Sequence, residues 1–179
     1  NGGLKIKGSK DNPIQISGDK KSNGLWSGLL VLANARAVKI NYLNFLGGTG
    51  IFSNAQYRGA FTVVNSNLEL KNSYFSLNKS EDAVNLNQVI GKLDNIFISN
   101  TPSDGLDIDF GNIEINRITL INIGSDTGAD AIDMSKSTVT INDSIIKKVT
   151  DKGLSVGENS YCEITNIEID QALVGFSSK

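Results

Sequence analysis

Histidine is missing from this chain altogether, and cysteine, methionine and tryptophan occur once each in 179 residues. Without histidine, the commonest general base and the commonest transition-metal ligand are excluded. A single thiol, Cys162, excludes an internal disulfide framework and any thiolate zinc or iron–sulfur site built within the chain. Its inward place in the pattern described below makes it a small core residue. The 17 basic and 19 acidic side chains nearly balance, and no Lys/Arg run provides a footprint for nucleic acid. No apolar run is long enough to span a bilayer. Residues 47–50, GGTG, have the glycines of a loop but lack the Lys and Ser/Thr of a phosphate-binding loop. Proline is confined to Pro13 and Pro102, which leaves room for many uninterrupted strands.

What is present is a repeat. Leu93, Ile115, Ile141 and Ile164 start equivalent segments, and a stride of roughly 20 to 50 residues is the mark of a solenoid. Within each unit, apolar residues alternate with polar ones, as in a strand buried on one face. A first column of inward pairs runs Val38-Ile40, Leu68-Leu70, Gly91-Leu93, Ile113-Ile115, Val139-Ile141 and Cys162-Ile164. A second runs Leu43-Phe45, Ser73-Phe75, Ile96-Ile98, Ile118-Leu120, Ser144-Ile146 and Ile167-Ile169. A third runs Phe61-Val63, Val84-Leu86, Leu106-Ile108, Ile132-Met134 and Leu154-Val156, with Leu29 before it and Leu173 after it. Three columns at one phase predict an all-β, single-stranded solenoid of three parallel sheets. It would have about six to seven coils of ~22–26 residues, stacked into a rod of roughly 30 Å.

The residues between columns fit this reading. Asn72, Asn95, Asp143 and Asn166 follow the first column at one position, where a left-handed turn and a side-chain ladder are expected. Tyr42 and Arg117 depart from that pattern. The small residues Ala60, Ala83, Gly105, Ala131 and Gly153 precede the third column, where the chain must turn or approach its neighbour closely. Residues 46–60 lengthen one unit. This insertion carries Phe52, Tyr57 and Arg58, and it would form either a binding face or a lid over the first coils. The whole chain, 1–179, reads as one domain. Its start at Asn1 without Met, and its end at QALVGFSSK without a polar cap, lead to the expectation of a piece of a longer exported protein.

The stretches DAVNLNQVIGKLDNIFISN, SDGLDIDFGNIEINRITLINI, ADAIDMSKSTVTINDSIIKKV and KGLSVGENSYCEITNIEI resemble right-handed parallel β-helix repeats of the pectin-lyase-like class. The first coils, DNPIQISGDKKSNGLWSGLLVL, are similar to those of β-helix proteins of bacterial surfaces. The resemblance implies a right-handed coil and an extracellular or cell-surface location, but one fold hosts many activities. Pectin-cleaving hydrolases of this class add a His and an Arg-x-Lys element to their acidic cluster, and the lyases add calcium-binding acids and a basic residue. This chain has no His and no matching Arg-x-Lys.

Candidate chemistry therefore rests on acids. Outward positions of the third column carry Thr62, Asn85, Asp107, Asp133 and Ser155, with Asp82, Asp104, Asp109 and Asp130 beside them; Asp107, Asp133, Asp109 and Asp130 are the four of interest. Carboxylates about 5 Å apart suit retaining glycoside hydrolysis, with these four as candidate catalytic groups. The same four oxygen donors suit calcium, and an ordinary solvated acidic face is the plain alternative. Trp26, Tyr42, Tyr57, Tyr74 and Phe110 are aromatic candidates for stacking on sugar rings. Of these, Trp26, Tyr57 and Tyr74, with Arg58, form the candidate binding set; Trp26 also suits a cap over the first coil. The expected function is a noncatalytic secreted or cell-surface module, a rigid scaffold that binds carbohydrate. The rival is a polysaccharide lyase or glycoside hydrolase with an acidic groove. Self-association through coil ends is a third expectation, because open sheet edges invite pairing.

Overall fold

A computed structural model describes residues 3–19, 26–34, 36–50, 57–125 and 128–179. Twelve strands account for most of them. These are β1 (Leu4–Lys7), β2 (Ile14–Ser17), β3 (Leu29–Leu32), β4 (Ala37–Asn41), β5 (Leu43–Leu46), β6 (Gly59–Ser76), β7 (Asp82–Thr101), β8 (Asp104–Asp109), β9 (Asn112–Ile123), β10 (Ile132–Ser135), β11 (Thr138–Val156) and β12 (Tyr161–Ser178). Every pairing is parallel and joins one coil to the next. The result is a right-handed parallel β-helix. Parallel strands cannot be joined by hairpins, so the chain winds onward after each one.

The register confirms all three columns. Leu4, Val38, Leu68, Gly91, Ile113, Val139 and Cys162 stack in the first sheet. Ile14, Leu43, Ser73, Ile96, Ile118, Ser144 and Ile167 follow one another in the second. Leu29, Phe61, Val84, Leu106, Ile132, Leu154 and Phe176 form the third. One expected member fails. Leu173 is 77% exposed, and Phe176 pairs with Leu154 in its place. Leu173 comes before Val174, which pairs with Lys152, so it precedes the stretch that stacks on the third sheet.

Inward side chains from the three sheets share one core along the axis. Phe45, Phe61 and Phe75 meet there with centroids 5.2 to 6.0 Å apart, spanning adjacent coils. The inward serines are satisfied. Ser73 Oγ donates to Lys71 O and accepts from Leu43 N, and Ser144 Oγ does the same with Asn142 O and Ile118 N. Most buried hydroxyls have such partners; among the described residues, buried Ser66 Oγ has none.

Each corner of the triangular coil uses a left-handed residue. The first corner stacks Tyr42, Asn72, Asn95, Arg117, Asp143 and Asn166, all with φ between 47° and 56°. Asn95 Nδ2 donates to Asn72 Oδ1 at 2.8 Å, and Asn166 Nδ2 to Asp143 Oδ1 at 2.7 Å. Tyr42 and Arg117 thus depart in residue type and not in conformation. The small residues before the third sheet are buried because the coil is narrow there: a Cβ on Gly105 would lie 2.5 Å from Leu120 Cδ2 and 2.6 Å from Ala131 O. Of the insertion over 46–60, residues 51–56, Phe52 among them, lie outside the described residues. Among the described residues, no helix is long and apolar enough to cross a membrane.

Candidate functional site

Two outer faces carry charge in different ways. On the first sheet, Lys39, Glu69, Lys92 and Glu114 succeed one another in register, so the signs alternate and neighbours pair. Such exposed, solvent-screened pairs add little stability and make an ordinary solvated face. The third sheet instead stacks like charge. Its outward column reads Thr62, Asn85, Asp107, Asp133 and Ser155, and a second reads Val64, Asn87, Asp109 and Ser135. Asp82 and Asp104 pair in register at the start of the same strands.

These side chains line a cleft of about 300 Å³, floored by β7, β8 and β10. Asp82, Asp104, Asp107, Asp109 and Asp133 all reach it, and Arg58 and Glu81 stand at one side. The Arg58 Nη1 donates to both oxygens of Glu81, at 2.8 and 2.7 Å. Four hydrogen bonds organise the acids. Asn85 Nδ2 donates to Asp107 Oδ2 at 2.6 Å, Asn87 Nδ2 to Asp109 Oδ2 at 3.5 Å, the Asp130 backbone N–H to Asp104 Oδ1 at 2.9 Å, and the Met134 backbone N–H to Asp133 Oδ1 at 3.0 Å.

Crowding of acids in a half-dry place raises their proton affinity. Burial pushes Asp82 up to about 8, helped by Asp107, Asp104, Glu81 and Asp109. Burial likewise pushes Asp107 up to about 7, with Asp109 and Asp133 adding repulsion and Asn85 opposing. Asp104 rises to about 6 for the same first reason, restrained by the Asp130 amide. Asp109 is raised as well, again chiefly by burial. At neutral pH the cleft thus mixes carboxyl and carboxylate groups, which lets it both donate and accept hydrogen bonds.

The sequence candidates separate here. Asp107, Asp109 and Asp133 come together in the cleft, and Arg58 joins them. Asp130 does not. Its carboxylate accepts from the Lys152 backbone N–H at 3.1 Å and from Lys152 Nζ at 3.2 Å. Lys152 occupies the next coil, where an Asp would extend the acidic row, and so ends it. Among the described residues, no three His, Cys, Asp or Glu side chains converge on a point that would hold a metal ion. Of the calcium set of Asp107, Asp109, Asp130 and Asp133, Asp130 turns to Lys152, while the other three line the cleft.

The aromatic candidates lie apart from the acids. Trp26 packs on Phe45 at 5.0 Å and donates its indole N–H to Leu46 O at 2.8 Å, so it closes the first coils as the capping alternative expected. Tyr74 sits on the outside of the second sheet, stacked on Phe97 at 5.3 Å. Tyr57 is half-buried beside Arg58. Tyr42 is a corner residue, and exposed Phe110 carries Lys136 Nζ 5.0 Å over its ring. Asn85, Asp82 and Asp104, which the sequence places on or beside the outward row, also line the cleft, whereas Glu81 and Ser135 were not singled out in the sequence. Asp precedes the small residue in three successive units, at Asp82-Ala83, Asp104-Gly105 and Asp130-Ala131. No protein-family model matches the chain, and no curated protein matches it.

Proposed function

We propose that this chain is a noncatalytic β-helix module, secreted or displayed at a cell surface, that binds carbohydrate in the acidic cleft of its third sheet. The observation that carries this reading is the cleft itself: five aspartates with Asn85 and Ser135, set on a rigid parallel sheet. Hydroxyl-rich ligands need dense, fixed hydrogen-bond partners, and strands hold such groups better than loops do. The alternating first sheet offers no comparable concentration of acceptors. The surface location rests on the resemblance to bacterial surface β-helices.

A glycoside hydrolase or polysaccharide lyase is the second reading. One observation favours the hydrolase: Asp107 holds a proton near neutrality and stands in register with Asp133 in the adjacent coil. A proton-bearing acid beside a second carboxyl group is the pairing that glycoside hydrolysis requires.

Titration calorimetry against neutral oligosaccharides, with reducing ends assayed in parallel, separates the two. Saturable binding without new reducing ends, lost in Asp107→Asn, supports the module. New reducing ends that disappear in Asp107→Asn and Asp133→Asn would replace it with the hydrolase. No binding and no cleavage by any oligosaccharide would overturn both.

A further inference from the structure

One acid in the cleft has no partner. Asp82 is only 6% exposed, yet it lines the cleft, and among the described residues its carboxyl group meets no hydrogen-bond donor and no cation. Its neighbours differ. Asp107 receives the Asn85 amide, and Asp104 receives the Asp130 amide. The charged groups that act on Asp82 are Asp107, Asp104, Glu81 and Asp109, all of one sign. Arg58, the one basic side chain lining the cleft among the described residues, directs its Nη1 to Glu81. Burial leaves little water to solvate an ionised Asp82, and an incoming cation supplies the counter-charge that the surrounding acids do not.

We infer that the cleft takes a primary ammonium group carried by its saccharide, with Asp82 as the receiving anion, so that the ligand is an amino sugar and not a uronic acid. This rests on the carbohydrate reading above. Three features select the ammonium. It offers three donors on a compact charge, and the nearby acids supply acceptors in different directions. A metal ion needs ligands converging on one point, which the described acids do not provide. A uronate would bring another carboxylate into a site where like charge is already concentrated.

The acceptor must be ionised to form the ion pair. Asp82 holds its proton in the free protein near neutrality, so ammonium binding releases that proton to solvent. Asp107, Asp104, Glu81 and Asp109 oppose ionisation until the ligand charge arrives.

The test is calorimetry on the full chain at pH ~6, where Asp82 remains protonated and a sugar amine is largely charged. Glucosamine oligomers, their N-acetylated counterparts, galacturonate oligomers and 1,4-diaminobutane serve as probes, each in two buffers of different ionisation heat. The glucosamine oligomer is expected to bind about tenfold or more tighter than the N-acetylated one, with net proton release. The galacturonate oligomer is expected not to bind. Asp82→Asn should reduce the amine preference to less than about threefold and abolish most of the proton release. Equal affinity for the amino and N-acetylated oligomers overturns the inference and leaves carbohydrate binding standing. Diaminobutane binding as tightly as the glucosamine oligomer upholds the ammonium site and overturns the carbohydrate reading. The proton count on the unmodified chain decides the matter if Asp82→Asn does not fold: tight amine binding without proton release would exclude Asp82 as the anion.

Discussion

Asn85 and Asp107 occupy the same outward position in adjacent coils, and the Asn85 side-chain amide donates to Asp107 Oδ2 at 2.6 Å. The bond runs along the helix axis, so the stacking that aligns the strands also aligns the chemistry. A neutral donor at this place lets one acid in a crowded row accept a hydrogen bond without adding charge. The bond favours the ionised form of Asp107, against burial and the repulsion of Asp109 and Asp133.

Replacing that donor should be visible at its partner. In Asn85→Leu, Asp107 loses the interaction that lowers its proton affinity, and its titration midpoint is expected to move above about 7. Carbon-13 NMR of the aspartate carboxyl groups reads this directly. An unchanged midpoint would mean that the 2.6 Å contact has no electrostatic consequence.

The cleft should also set a pH dependence of stability. Unfolded aspartates titrate near ~3.9, whereas Asp82, Asp107 and Asp104 in the fold titrate at about 8, about 7 and about 6. Between these values the folded state binds more protons than the unfolded one. Stability is therefore fully present below about pH 4 and is lost as pH rises through the folded values. Urea midpoints should fall from pH ~5 to pH ~8.5. Asp82→Asn should add on the order of 1–3 kcal/mol at pH ~8.5 and nearly nothing at pH ~4.5. A flat profile would contradict burial of the row.

A third expectation concerns the narrow part of the coil. Gly105→Ala places a methyl against Leu120 Cδ2 and the Ala131 carbonyl, at 2.5 and 2.6 Å before any adjustment. Overpacking of this kind costs ~1–3 kcal/mol. Gly175 stands three coils further on in the terminal coil, and a Cβ there meets nothing within 4 Å. Gly175→Ala should leave the denaturation midpoint close to that of the parent. Equal effects at the two sites would remove the close approach as the reason for the small-residue column.

The asparagine ladder separates backbone from side chain. Asn95 has φ 56° and donates to Asn72 Oδ1 at 2.8 Å. Asn95→Ala loses the bond and keeps a Cβ in the left-handed region, for an expected loss of ~1–2 kcal/mol. Asn95→Gly loses only the bond and should be milder. Chemical denaturation of the two variants checks the order: equal losses would make the side-chain bond the dominant contribution, and a more severe Gly variant would contradict strain of the left-handed Cβ as the difference between them.

The corners show how far residue types carry information. The Asn72-Asn95-Asp143-Asn166 ladder stood out because those residues tolerate φ > 0. The corner after the second sheet uses Leu77, Asn100, Asn122, Lys148 and Gln171, and the one after the third uses Asn34, Asn65, Gln88, Phe110, Lys136 and Asn159. Their composition is mixed, so no pattern marked them. Closure of the triangular coil imposes the left-handed turn on whichever residue falls there. Leu173 failed because Phe176, three residues later, takes the place opposite Leu154; both are large apolar residues, and the pairing of the last coil decides between them.

The acidic site divides in the same way. Asp107, Asp109 and Asp133 were legible because strict alternation places them outward on one sheet. Lys152 was legible as a cation near the acids, but not that Asp130 would be the one to turn to it, nor that among the described residues no side-chain hydrogen bond would reach Asp82, because both depend on side chains a full coil apart.

Sequence alone determined the winding of this protein. Apolar side chains two apart, recurring once per coil, have one common way to leave water, and that is to stack as parallel strands around a shared axis. Tertiary structure decided the electrostatics. How strongly an acid holds its proton depends on how much water, how many neighbouring charges and which donors the adjacent coils leave around it, and those distances exist only once the coils are stacked.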